Sequence, residues 1–246
     1  MACKTSETIL QWGLCVQSGR ALRRRTMGIF DIMGPVMVGP SSSHTAGAVR
    51  IGSITRKLLG EKPVCAELLL HGSFAATGEG HGTDRALVAG LLGMKPDNER
   101  IPKSFEIAKE ENLSVKIGKV TLRNVHPNTV LLKVQGESGR KLEVVASSLG
   151  GGRVKICRLD GIETNFSGDC PTLVVHNLDQ PGHVAQVTSL LARNEVNIAS
   201  MQLYRNMRGG YAVMVLECDQ PIPAAPLKSL SKMDGILKIT YLNLDE

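Results

Sequence analysis

Thr172-Leu173-Val174-Val175-His176 is an apolar run of strand length, and Asp179-Gln180-Pro181-Gly182 close behind it is a turn. Val184, Val187 and Leu191 then fall on one face of a helix. Ala199, Met201 and Leu203 alternate with Ser200, Gln202 and Tyr204, the period of a strand half covered by a core. Residues 206–210 read as a hairpin turn, Tyr211–Cys218 as the next strand, 224–233 as a helix, and Leu237, Ile239 and Tyr241 as a closing strand. That order is βαββαβ, the split ferredoxin-like unit, and residues 171–246 are the right length for one copy.

Gly168-Asp169-Cys170-Pro171 marks a boundary, and upstream of it the pattern is a different mixture of α and β. Ile51, Ile54 and Leu58 predict a helix over 46–59 with Gly60 as its stop. Residues 65–71 read as a strand. A polar, Gly-rich loop over 77–84 feeds a second helix, in which Leu87, Gly90, Leu91 and Met94 recur at helical spacing and Thr83 is the expected N-cap. After a Pro- and charge-bearing loop at 96–104 comes a short helix at 105–111. Strands follow at 113–122, 129–135, 141–147 and 153–159, with Gly150-Gly151-Gly152 between the last two. The expected fold class is therefore α+β, with an α/β domain over 27–168 and a βαββαβ domain over 171–246.

Composition narrows the function classes. Of 246 residues, 42 % are apolar and 21 % charged, which suits a packed globular chain. No run approaches the length of a membrane span, so no membrane partner is expected and the expected location is cytoplasmic. Aromatics at 3 % leave little for stacking on single-stranded nucleic acid. The formal charge is +6, but Lys4, Arg20, Arg23, Arg24 and Arg25 against Glu7 place most of it in residues 1–26 and leave the body nearly balanced. No basic stripe suggests a phosphate track, and no nucleic-acid partner is expected. Residues 1–26 read as an extension without stable structure, because Met27-Gly28-Ile29-Phe30 looks like the opening of a fold. Cys3, Cys15, Cys65, Cys157, Cys170 and Cys218 are scattered without metal-ligand spacing and read as reduced thiols, so this chain is expected to ligate no metal.

Two segments have the makings of chemistry. Ser41-Ser42-Ser43-His44-Thr45 puts hydroxyls and an imidazole at the start of a helix, where free N–H groups and the dipole favour a carboxylate. An ordinary N-cap with serines in a turn has the same spacing. Gly78-Glu79-Gly80-His81-Gly82-Thr83-Asp84 repeats the logic, with glycines that let backbone approach a ligand and His81 presented as a general base. Asp84 orients that imidazole or merely complements the helix dipole, and a solvated loop histidine is the bland reading. His71, His126, His176 and His183 lack such a setting and are read as structural. Gly150-Gly151-Gly152 is a backbone nest for an anion or a simple loop.

Phe30-Asp31-Ile32-Met33-Gly34-Pro35, Gly39-Pro40-Ser41-Ser42-Ser43-His44-Thr45 and Gly78-Glu79-Gly80-His81-Gly82-Thr83-Asp84 together resemble the β chain of iron–sulfur-dependent L-serine dehydratase, over residues 27–246. The resemblance implies an N-terminal domain like the allosteric substrate-binding domain of one class of phosphoglycerate dehydrogenase, followed by an ACT domain. Asn177-Leu178-Asp179-Gln180-Pro181-Gly182 matches the ligand-facing loop of such modules, with Asn177, Asp179, Pro181 and Gly182 as its ligand-side residues. ACT modules bind amino acids between copies or simply dimerise, so homodimerisation through this domain is a further expectation.

The reaction implied is L-serine to pyruvate and ammonia, on a [4Fe–4S] cluster ligated by a separate α chain. This chain alone is then expected to be inactive. By resemblance, Ser41, Ser42, Ser43 and Thr45, with Thr83 and Asp84, bind substrate. His81 is the expected base for the α-proton, and His44 the carboxylate anchor or second acid–base group, with the roles exchangeable. The alternative is a non-catalytic, serine-sensing regulatory module.

Overall fold

The computed structural model describes residues 37–39, 41–78 and 80–244. The expectations for residues 1–26, for Phe30-Asp31-Ile32-Met33-Gly34-Pro35, and for Pro40 and Glu79 lie outside that range.

Helix α1 (Ala46–Leu59) ends where Gly60 turns left-handed at φ 80°, as the sequence predicts. It is followed by β1 (Pro63–His71), a short α2 (Gly72–Thr77), α3 (Thr83–Leu91) and, after a 3₁₀ turn at Ile101–Lys103, α4 (Ser104–Glu110). Strands β2 (Ser114–Lys119), β3 (Asn128–Gly136), β4 (Lys141–Gly150), β5 (Arg153–Leu159) and β6 (Ile162–Phe166) complete a six-stranded sheet in the order β2-β1-β3-β4-β5-β6. β1 and β2 run parallel and the remaining pairs antiparallel.

Two elements were not expected. β6 is five residues of mixed polarity at the sheet edge, too short to show an alternating pattern. α2 is barely more than one turn, and it begins at Gly72 with φ 56°. Thr83 is not the N-cap of α3. Gly82 takes that position at φ 67°, a left-handed conformation that glycine adopts without strain, and Thr83 is the first helical residue, fully buried.

Helices α1 and α3 pack closely because each offers a glycine to the other. A Cβ on Gly52 would lie 2.4 Å from the Leu87 carbonyl oxygen, and one on Gly90 would lie 2.0 Å from that of Val49. Gly90 therefore marks a backbone crossing within the apolar face. Ile51, Ile54, Leu58, Leu87, Val88 and Leu91 around it are buried with Leu68, Val130, Leu132 and Val144 of the sheet. His44 precedes the crossing by eight residues and His81 by nine, so the same contact brings both helix N-termini to one place.

The second sheet holds β7 (Thr172–Leu178), β8 (Ile198–Arg205), β9 (Tyr211–Cys218) and β10 (Ile236–Leu242) in the order β10-β7-β9-β8, all antiparallel. With α5 (His183–Arg193) and α6 (Ala224–Leu230) this is the expected βαββαβ order. Leu173, Val175, Met214 and Leu216 meet Val187, Leu191 and Leu230 of the helices. Val174, Val213, Val215 and Leu242, on the other face of the sheet, join the large core around α1. Lys238 Nζ donates to Leu58 O at 2.9 Å at the C-terminus of α1, where a cation complements the dipole. Burial pushes that ammonium down to about 8, with Arg140 adding to the effect.

One face is the reverse of what the alternation on β8 suggests. The period is that of a strand, but Tyr204 packs on the large core while Met201 and Leu203 are 41 % and 45 % exposed. β8 is one of the two edge strands. Its Met201 and Leu203 pair with the buried Leu216 and Met214 of β9, and the helical layer stops short of them.

Candidate active site

The segment before α1 is a tight turn, with Thr45 N–H donating to Ser41 O at 2.8 Å and Gly47 N–H to Ser42 O at 2.9 Å. It turns His44 inward, where the ring is 8 % exposed and meets Phe74 edge-on at 5.2 Å between centroids. The ring of His81, which is itself exposed, lies edge-on to His44 at 4.9 Å. The two imidazoles singled out in the sequence are thus neighbours.

Every ring nitrogen of His44 has a partner. Ser41 Oγ lies 3.2 Å from Nδ1, and Thr77 Oγ1 and Ser73 Oγ lie 3.1 and 3.4 Å from Nε2. The proton positions follow from the network. Thr77 Oγ1 gives its hydrogen to Ser73 O at 2.9 Å, so it accepts from His44 Nε2–H. Ser41 Oγ accepts from His44 N–H at 3.3 Å and donates its own hydrogen to Nδ1. The pattern is that of a neutral imidazole protonated on Nε2. Burial, and then the neighbouring His81, hold the pKa of His44 below its ordinary value, which agrees with a neutral ring.

The remaining candidate residues divide. Ser42 Oγ accepts from Gly151 N–H at 3.2 Å, which draws the Gly150-Gly151-Gly152 turn of the β4–β5 hairpin against this segment. Ser43 and Ser42 are half-buried and Thr45 is buried. Thr83 Oγ1 is buried with no hydrogen-bond partner among the described residues, as is Ser148 Oγ, which lies where a side chain on Gly47 would go. Asp84 Oδ1 accepts from Arg85 N–H at 2.8 Å in the first turn of α3, and no contact joins it to His81. Its observed place suits the helix dipole. Ser73 and Thr77 were missed by the sequence reading. They sit on α2, and a Ser–x–x–x–Thr spacing carries no signal until the helix that aligns it is known.

In the second domain Asn177 is 3 % exposed; its Nδ2 donates to Leu178 O at 2.6 Å, and its Oδ1 is buried without a partner among the described residues. Asp179 is tied to the β8–β9 hairpin. Its Oδ2 accepts from Gly209 N–H at 2.9 Å and from Arg205 Nη1 at 3.1 Å, contacts that hold the carboxyl below its usual range. Pro181 and Gly182 are exposed at the start of α5.

The family model described as "Serine dehydratase beta chain" matches residues 28–157. The chain belongs to this family. A second model, "AHAS small subunit-like ACT domain", matches residues 173–238 of this beta chain. The probable L-serine dehydratase beta chain of Bacillus subtilis is 42 % identical over 215 residues, 87 % of this chain and 97 % of that one. The L-serine dehydratase beta chain of Peptoniphilus asaccharolyticus is 42 % identical over 216 residues, with the same shares covered. D-3-phosphoglycerate dehydrogenase of Archaeoglobus fulgidus is 29 % identical over 218 residues, 87 % of this chain but 39 % of that protein.

The donor set at this beta-chain site is imidazole and hydroxyl, without thiolate. Cys65, Cys157, Cys170 and Cys218 carry free thiols, and among the described residues no group of three or more His, Cys, Asp and Glu side chains is arranged to hold a metal ion. No helix among them is long and apolar enough to cross a membrane.

Proposed function

We propose that this chain supplies the histidine-bearing half of an L-serine dehydratase site, and that an α chain carrying a [4Fe–4S] cluster closes it. The observation that carries the reading is the meeting of His44 and His81 at 4.9 Å with only the His44 ring fully engaged. The described residues of this chain do not fit a cluster, so the reading assigns it to the partner, where it supplies a Lewis acid for the departing hydroxyl of serine.

The substrate carboxylate lies against the hydroxyls of Ser42, Ser43 and Thr45 at the N-terminus of α1, where the dipole is favourable, with Ser41 committed to His44 Nδ1 and Thr83 and Asp84 at the neighbouring helix start. His81, exposed and with its ring nitrogens unbonded among the described residues, takes the α-proton as general base. His44 stays neutral and holds Ser41 and α2 in place. This favours a positioning role over a cationic anchor, since a buried imidazolium beside a second imidazole is costly. Loss of the α-proton and of the hydroxyl leaves aminoacrylate, which tautomerises and hydrolyses to pyruvate and ammonia off the enzyme.

The edge strand β8, with Met201 and Leu203 exposed, supports pairing of the second domain with its own copy. Free thiols suit a reducing cytoplasm. The test of the reading is reconstitution. Neither this chain nor the α chain alone should turn over L-serine, and an anaerobic mixture of the two should. Serine binding to this chain by calorimetry, with no change in α-chain activity on mixing, would instead favour a sensing module.

A further inference from the structure

An open groove of about 960 Å³ runs between the C-terminal half of α1, the loop after α3 and the end of β10. Among the described residues its walls carry Arg50, Arg56, Lys57, Lys62 and Lys95 against the single carboxylate of Glu61. Part of this charge is already answered. Arg50 pairs with Asp169 at 2.5 Å and Lys62 with Glu111 at 3.5 Å, while Glu61 Oε1 accepts from Ser138 Oγ at 2.9 Å.

Arg56, Lys57 and Lys95 differ. Arg56 Nη1 donates to Leu91 O at 2.7 Å and Lys57 Nζ donates to Asn243 O. Both acceptors are neutral carbonyls, which fix the side chains without cancelling their charge. Lys95 adds a third cation, exposed on the loop. Among the described residues no ion pair engages any of the three.

We propose that this groove is a binding site for a small, multiply charged oxyanion, a phosphorylated or polycarboxylate metabolite. Its oxygens meet Arg56, Lys57 and Lys95. Arg56 and Lys57 follow His44 by twelve and thirteen residues, about 18–20 Å along the axis of α1, so the site is distinct from the histidine pair. Its walls come from α1 and two loops of the first domain and from β10 of the second, so an occupant braces β10 against α1 and stabilises the packing of the second domain on the first. The charge arithmetic of the sequence hid it, because the cations are spread from residue 50 to residue 95 in a body that is nearly balanced overall.

The test is titration calorimetry and thermal unfolding of the full chain with inorganic phosphate, with citrate and with L-serine, at constant ionic strength. It compares the native sequence with Lys95→Gln and with Arg56→Gln/Lys95→Gln. The expected result is saturable binding of phosphate or citrate that raises Tm, weakened about tenfold by Lys95→Gln, the loss of one charge-assisted contact. The double variant should abolish it, and zwitterionic L-serine should not compete. Lys95 is exposed on a loop, so its variant keeps the fold. The proposal is overturned if neither anion gives saturable heat, if Lys95→Gln binds as well as the native chain, or if only a long polyanion such as heparin binds.

Discussion

Gly52 of α1 and Gly90 of α3 face each other across the helix crossing, each so close to the other helix that a methyl group in its place would overlap backbone. This contact determines where His44 and His81 end up, since both precede it by a little over two turns.

Gly90→Ala should therefore cost both stability and geometry. Overpacking against the Val49 carbonyl is worth about 1–3 kcal/mol. The expected outcome is a lower midpoint in urea unfolding and a loss of reconstituted activity larger than the unfolded fraction explains. An unchanged midpoint would show that the helices separate freely.

Thr77→Val should change the tautomer of His44. The hydroxyl that accepts from Nε2–H is lost, and Ser73 at 3.4 Å is a poorer substitute. Nitrogen-detected NMR of the imidazoles should find Nε2–H dominant in the native chain and a mixed population in the variant. The same mixture in both would remove Thr77 as a positioning group.

Acid should destabilise the chain in a defined window. Burial, followed by Lys238, pushes His176 down to about 4, and burial lowers His44 as well. Between about 6.5 and 4 the unfolded chain binds a proton at His176 that the folded chain refuses, and His44 acts in the same direction, so stability is complete above 6.5 and falls as pH drops. The His176 contribution approaches about 3 kcal/mol at the lower end. Urea unfolding at pH 7 and pH 5 should show the loss, and His176→Leu, which also removes a buried Nε2 without a partner among the described residues, should reduce it. Equal pH dependence in the variant would contradict this.

Long, strongly patterned elements were legible in the sequence. Ile51, Ile54 and Leu58 with Gly60 fixed α1 to its observed ends, and the apolar runs of β7, β9 and β10 placed the second sheet. Elements too short for a period, β6 and α2, were not, and missing α2 meant missing Ser73 and Thr77. Alternation on β8 showed a strand without its orientation, because which face is covered depends on how far α5 and α6 reach. The two candidate histidines were visible from their motifs. The hydrogen-bond network, which no motif shows, separates a buried, fully bonded ring from an exposed one.

The most direct measurement is turnover of L-serine by the anaerobically reconstituted pair of chains carrying His81→Ala. The account predicts a fall in kcat of at least about 10²-fold, the usual size of a lost general base, with assembly of the two chains unchanged. Near-native turnover by that variant would contradict it.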